Sequence, residues 1–235
     1  MQGRCGCLII AFCLLGFLPD GKAAPFSLRQ LQPGQMTMRG HYDDQKTTAT
    51  YTVTRETHAG KPCLRAVWNS SIKKIDMWMW PDGTPIRSRL EKPKEGITVE
   101  IEYTPGGANY KYTKKGGTET TRIKQKGMIE VLAIDLLLVA FPFDQKDREV
   151  VFYGIDADSD DGDTYKFYAE IDEVETIKIG GKKIKAYNVE LGLKGVVGLF
   201  APEFHFWYSF EKPHEYLMYE GPDEKFIKTG GRIAL

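Results

Sequence analysis

Polar and apolar residues alternate with a period of two through most of this chain. Between Thr48 and Arg55, the side chains of Ala49, Tyr51 and Val53 interleave with Thr48, Thr50, Thr52 and Thr54, which is the signature of a strand with one face in a core and one in water. HAGKP at 58–62 reads as a turn, and Leu64, Ala66 and Trp68 resume the alternation on a returning strand, so the segment predicts a hairpin. Ile97, Val99, Ile101 and Tyr103 against Thr98, Glu100 and Glu102 repeat the pattern, closed by TPGG at 104–107. Tyr110 and Tyr112, the Gly116-Gly117 turn, and Thr118 to Lys124 extend this meander. Tyr165, Phe167, Ala169 and Ile171 alternate in the same way before Gly180-Gly181 turns the chain into Lys183 to Leu193. About a dozen strands joined by short turns are expected, which makes the chain mainly β and antiparallel.

Three segments depart from that period. Met128 to Phe141, MIEVLAIDLLLVAF, has only Glu130 and Asp135 as polar residues; its length and leucine content predict a helix over 128–141, stopped by Pro142 and enclosed on most sides. Met77-Trp78-Met79-Trp80 places methionines on one face and tryptophans on the other. Phe204 to Phe210 places Phe204, Phe206, Tyr208 and Phe210 on one face and His205 and Trp207 on the other. Strands apolar on both sides are either packed between sheet and helix or line an apolar cavity on the concave side of a curved sheet capped by the helix. Val196 to Ala201 reads as a short turn or lid, and no repeat or linker divides the chain, so residues 24–235 form a single β-rich domain.

The first residues change the picture of where the protein works. Arg4, the apolar run Cys7 to Leu18, and small residues at Gly21 and Ala23 have the layout of a cleavable signal peptide over 1–23. The apolar run stops at Pro19, short of a membrane span, and no comparable run follows, so a soluble exported protein is expected. In a bacterium this means the periplasm. Phe12 before Cys13 lacks the small residue of a lipoprotein signal. Removing Arg4, Lys22 and Asp20 leaves 30 basic and 31 acidic residues, and this balance gives no reason to expect a nucleic-acid partner. Cys63 is then the one remaining cysteine, so no internal disulfide can form, and it reads as an inert thiol on a strand.

Candidate chemistry is sparse. Asp156, Asp158, Asp160 and Asp161 resemble the start of a calcium loop, but Asp161 stands where glycine is needed and Phe167 where the bidentate glutamate belongs, so a hairpin tip is the simpler reading. Lys111, Lys114, Lys115, Arg122, Lys124 and Lys126 make one hairpin basic, as an ordinary solvated face or as a surface for anionic headgroups. His41, His58, His205 and His214 are scattered, and GxSxG, P-loop, HExxH and dinucleotide motifs are absent from the sequence. No catalytic residue, metal or cofactor is assigned.

The turn Asp82-Gly83-Thr84-Pro85-Ile86-Arg87 after an aromatic strand, the mid-chain LAIDLLLVAF and the closing FHFWYSFEKPHEYLMYEG resemble a bacterial periplasmic family catalogued as a domain of unknown function, DUF3108. The resemblance implies a curved antiparallel sheet or half-open barrel around the helix, related in architecture to the lipoprotein carriers LolA and LolB, whose concave surfaces hold acyl chains. It carries over no functional residue. The reading that joins these features is a non-enzymatic periplasmic protein binding a lipid or acyl chain, with Trp78, Trp80, Leu136, Leu137, Phe206 and Trp207 as the lining. The alternatives are an envelope interaction or assembly module with a filled core, docking a protein partner through an edge strand or aromatic patch, and an enzyme acting on envelope lipids or glycans.

Overall fold

The computed structural model describes residues 25–42, 45–145, 148–157, 159–195, 198 and 201–235; the expected export signal lies outside them. Fourteen strands form one antiparallel sheet: β1 (Gly34–Tyr42), β2 (Gln45–His58), β3 (Lys61–Asn69), β4 (Lys74–Met79), β5 (Pro85–Lys92), β6 (Ile97–Thr104), β7 (Gly107–Lys114), β8 (Gly117–Ile123), β9 (Val150–Ile155), β10 (Thr164–Ile179), β11 (Lys182–Leu193), β12 (Phe204–Ser209), β13 (Tyr216–Glu220) and β14 (Glu224–Gly231). Neighbours in sequence pair, as tight turns dictate, except β8 and β9, which the helical segment separates. At the β10–β11 tip, Gly180 and Gly181 take φ of +56° and +81°, the backbone of a two-residue turn that side chains with a Cβ resist.

The ends of this meander join each other. β1 pairs β14 from Met36 opposite Gly231 to Tyr42 opposite Glu224. The outer edges therefore fall in mid-sequence, on β8 and β9. Among the described residues no continuous ladder closes that gap, but side chains and a bridge span it. Met128 pairs Tyr153 in an isolated parallel bridge, and the Ile129 N–H donates to Tyr153 O at 2.9 Å. From β7, the Tyr110 hydroxyl donates to the Ser159 carbonyl. Gly162 lies directly on that ring: its φ is +74°, and a Cβ there would stand 2.7 Å from the tyrosine. The result is a curved, nearly closed barrel, as the alternating pattern and the enclosed apolar segment predict.

The helical segment is shorter than its sequence suggests. One α-helical turn, α1 (Ile134–Leu137), sits between 3₁₀ turns at Val131–Ala133 and Leu138–Ala140. The Glu130 side chain accepts from the Leu132 N–H at its start. Phe141 is extended at φ −63° and ψ 143°, the conformation that the following Pro142 imposes. Packing, more than the few hydrogen bonds of so short a helix, holds it in place. Ala133, Leu136, Leu137, Leu138 and Val139 have no solvent exposure and join the main core with residues from nearly every strand.

A second, smaller core lies on the outer face. β10 shifts register between Ile171 and Glu173. Beyond that bulge Ile177 and Ala186 pack with Trp207, Leu217 and Met218. The Trp207 N–H donates to Glu175 at 2.7 Å.

Candidate functional site

The helical segment fills only part of the barrel. Beside it remains a cavity of about 430 Å³, within the range of small-molecule pockets. Its wall is largely apolar: Ile134 from α1, Trp68 and Ile75 from β3 and β4, Phe167 and Leu191 from β10 and β11, and Phe204, Phe206 and Phe226 from β12 and β14. These side chains alternate inward on adjacent strands, so one concave surface gathers residues far apart in sequence.

Polar groups gather on one part of the wall. Lys73 places its Nζ 3.0 Å from Glu224 Oε2 and 5.3 Å from the centre of the Tyr42 ring. The Tyr219 hydroxyl donates to Glu224 Oε1 at 2.7 Å. Asp135 Oδ1 accepts from the Tyr51 hydroxyl at 3.0 Å and the Leu136 N–H at 2.7 Å. The Asp135 carbonyl accepts from Tyr208. Asp135 is half-buried, and it borders the cavity. Loss of water pushes its carboxyl up to about 7, although the Tyr51 bond and nearby Lys73 favour the charged form. Burial, and secondarily Asp135 itself, raise the Tyr51, Tyr208 and Tyr216 hydroxyls well above the ordinary tyrosine range, so all three are neutral near pH 7.

Glu130 shows the contrasting arrangement. It is 1% exposed, receives the Tyr103 hydroxyl at 3.0 Å and the Leu132 N–H at 3.1 Å, and lies off the cavity wall. Burial raises its carboxyl too.

Of the six side chains expected to line the cavity, only Phe206 does so. Leu136 and Leu137 are buried in the main core. Trp207 faces the outer core, because Phe206 and Tyr208 on either side of it point inward. Trp78 and Trp80 are displaced for the same reason of register. Met77 and Met79 lie opposite Ala66 and Leu64 and point into the core, which turns Trp78 outward. Its ring lies 4.0 Å from the Arg87 guanidinium and 4.8 Å from that of Arg65. Trp80 meets His58 edge to face, with 5.9 Å between ring centres. Lys73, Tyr219 and Glu224 escaped the sequence reading, since each is an ordinary strand or turn residue until the barrel assembles, and Tyr51 was legible only as a core position. Asp135 carried a signal: a carboxylate inside an apolar helix.

The remaining candidates have plainer roles. In the acidic hairpin, the Ser159 hydroxyl donates to Asp156 O at 3.1 Å and accepts the Gly162 and Asp163 N–H groups, each at 2.9 Å, while Asp158 lies outside the described residues. The six cations of the β7–β8 hairpin are all exposed, and Lys111 pairs with Glu100 at 2.7 Å. Cys63 is buried, which pushes its thiol up. The lid expected at 196–201 falls mostly outside the described residues; of it, Gly198 donates to Gly195 O at 3.0 Å and Ala201 borders the cavity.

Fold and cavity together define a class: an incomplete up-and-down β-barrel with a helical plug and an apolar hollow beside it. No family model matches the chain, so the resemblance to DUF3108 has no family match behind it. No curated protein matches it either. Among solved structures, it is similar to a β-barrel-like protein of a domain of unknown function, DUF1849, from Brucella abortus, with 12% identity, a TM-score of 0.48, and coverage of 86% of this chain and 97% of that one. Among the described residues, no helix is long and apolar enough to cross a membrane.

Proposed function

We propose that this chain is an exported, non-enzymatic periplasmic protein that takes a lipid or acyl chain into the cavity beside the helical plug. The observation that carries this reading is the roughly 430 Å³ hollow bounded by Phe204, Phe206, Phe226, Leu191 and Ile134, beside a plug whose Leu136 to Val139 are fully buried. A filled core would favour the assembly module; an apolar pocket of this size, partly open to solvent, favours a guest. Binding is driven by apolar burial at roughly 25 cal/mol per Å², so affinity rises with chain length and is insensitive to salt.

The second reading, an interaction module, draws support from β9, where Val151 and Tyr153 are 39% and 37% exposed on an edge strand. The carboxylates on the cavity wall are the feature that favours an enzyme. Asp135 and Glu224 already have structural work, accepting from Tyr51 and from Lys73 and Tyr219, which weighs against it.

Purification of the chain from a native envelope followed by solvent extraction and mass spectrometry tests the proposal, together with titration of a neutral apolar fluorophore. The expected result is a co-purifying lipid, or fluorophore uptake displaced by acyl chains. A protein that arrives empty and takes up no fluorophore overturns it.

A further inference from the structure

The polar part of the cavity wall is rich in carboxylates, and most of its donors are turned onto them. Resting on the reading that an apolar chain enters the cavity, we propose that it selects amphiphiles with a cationic or uncharged, hydrogen-bond-donating head, amines above alcohols, and turns away the carboxylate of a free fatty acid.

Among the described residues, four ionisable acids and bases border the hollow: Lys73, Asp135, Asp156 and Glu224. The one cation of this set is engaged. Lys73 is bound to both carboxylate oxygens of Glu224, at 3.0 and 3.4 Å, and also lies over the Tyr42 ring. A guest carboxylate would have to compete with Glu224 for Lys73, and sharing the ammonium would set two like charges side by side. Two tyrosine hydroxyls that could have donated to a guest are turned onto acids instead, Tyr51 onto Asp135 and Tyr219 onto Glu224. The indole N–H of Trp68, which has no partner, is sealed from the hollow although the ring borders it. Tyr216, the remaining buried phenol on this wall, can turn its hydroxyl as donor or acceptor for any head.

A carboxylate offers only acceptors and a negative charge, whereas an ammonium brings three donors and a positive one. With Lys73 and Glu224 cancelling, Asp135 sets the sign of the field a guest meets from the described residues. Opposite charges a few ångströms apart in such partly hydrated surroundings are separated in energy from like charges by enough to move affinity about tenfold or more.

The test is displacement of the neutral fluorophore at pH 8 by dodecylammonium, dodecanol and dodecanoate, each below its micelle concentration. Dodecylammonium is expected to bind at least about tenfold more tightly than dodecanoate, with dodecanol between. The doubly substituted chain, Asp135→Asn with Glu224→Gln, is expected to shrink that ratio to about threefold or less. The ranking in the unsubstituted protein decides even if the variant does not fold. Dodecanoate binding as tightly as dodecylammonium, or a ratio unchanged in a folded double variant, overturns the inference while the cavity reading stands. Failure of the fluorophore and of all three amphiphiles removes both.

Discussion

Glu130 and Asp135 are two carboxylates on one short helical segment, and they meet opposite fates. Glu130 is sealed in packed interior, with its oxygens turned to Tyr103 and the Leu132 N–H. Asp135, one helical turn further on, borders empty space. The plug has two sides: Leu136, Leu137, Leu138 and Val139 are fully enclosed in the core, whereas Val131, Leu132, Ile134 and Asp135 border the hollow, where Asp135 is tied to the wall by Tyr51 and Tyr208. The difference shows where stability and function separate in this fold. The packed side supplies cohesion, because its apolar side chains are enclosed. The side facing the hollow forgoes some of it and gains room for a guest.

Removing side chains from the packed core and from the cavity wall gives the largest expected contrast. Leu137, fully enclosed and close against the Gly83 turn, should lose about 3 to 4 kcal/mol as Leu137→Ala in urea denaturation. Phe206 is the larger side chain, yet it already faces the hollow on one side. Phe206→Ala should therefore cost about 2 kcal/mol, less than its size alone implies, and should weaken fluorophore uptake. If Phe206→Ala costs more than Leu137→Ala, the two sides are packed alike and the comparison fails.

A pH series sharpens the contrast at intermediate size. The unfolded chain loses the Asp135 proton near pH 4, whereas the folded protein holds it until about 7. Between those values the native state binds the extra proton, so stability falls as pH rises through the window and levels off above it. Allowing for the part of the carboxyl that faces the hollow, the loss from this group between pH 4 and 8 should be about 2 kcal/mol. Asp135→Asn keeps an acceptor for Tyr51 and has no proton to lose. It should match the parent at pH 4 and exceed it at pH 8 by that amount, seen as a higher melting temperature. Glu100, which the Lys111 hydrogen bond holds below the ordinary glutamate range, works the opposite way and is common to both proteins, so their difference isolates Asp135. Equal pH profiles would show that the carboxyl is not desolvated.

Much of the sheet was legible because strand alternation is a local property. Ala49, Tyr51 and Val53 face inward as the two-residue period requires, and Gly180-Gly181 turns the chain where expected. The plug was legible as an apolar enclosed segment but not in its helical length, since a stretch that short follows its surroundings more than its propensities. The cavity wall was the least legible. Alternation says that the methionines and tryptophans of 77–80 face opposite ways, but which pair faces inward is fixed by cross-strand partners, here Leu64 and Ala66. Lys73 and Glu224 are far apart in sequence and meet only because β1 and β14 join the ends of the meander.

The smallest expected effect tests that register directly. Trp78 lies on the outer face between two guanidiniums, and its N–H approaches Glu56 Oε2 at 3.4 Å. Arg65 is meanwhile held by Asp76 through two bonds at 2.8 and 2.6 Å, so it stays in place when the indole is lost. Partly exposed cation–π contacts are worth about 0.5 to 1 kcal/mol, and Trp78→Leu should cost about 1 kcal/mol. Fluorophore affinity and the amine-to-carboxylate ratio should be unchanged, because the inward neighbours Met77 and Met79 still shape the core. A large loss of uptake in this variant would place the tryptophans against the guest and reverse the assignment of the two faces of β4.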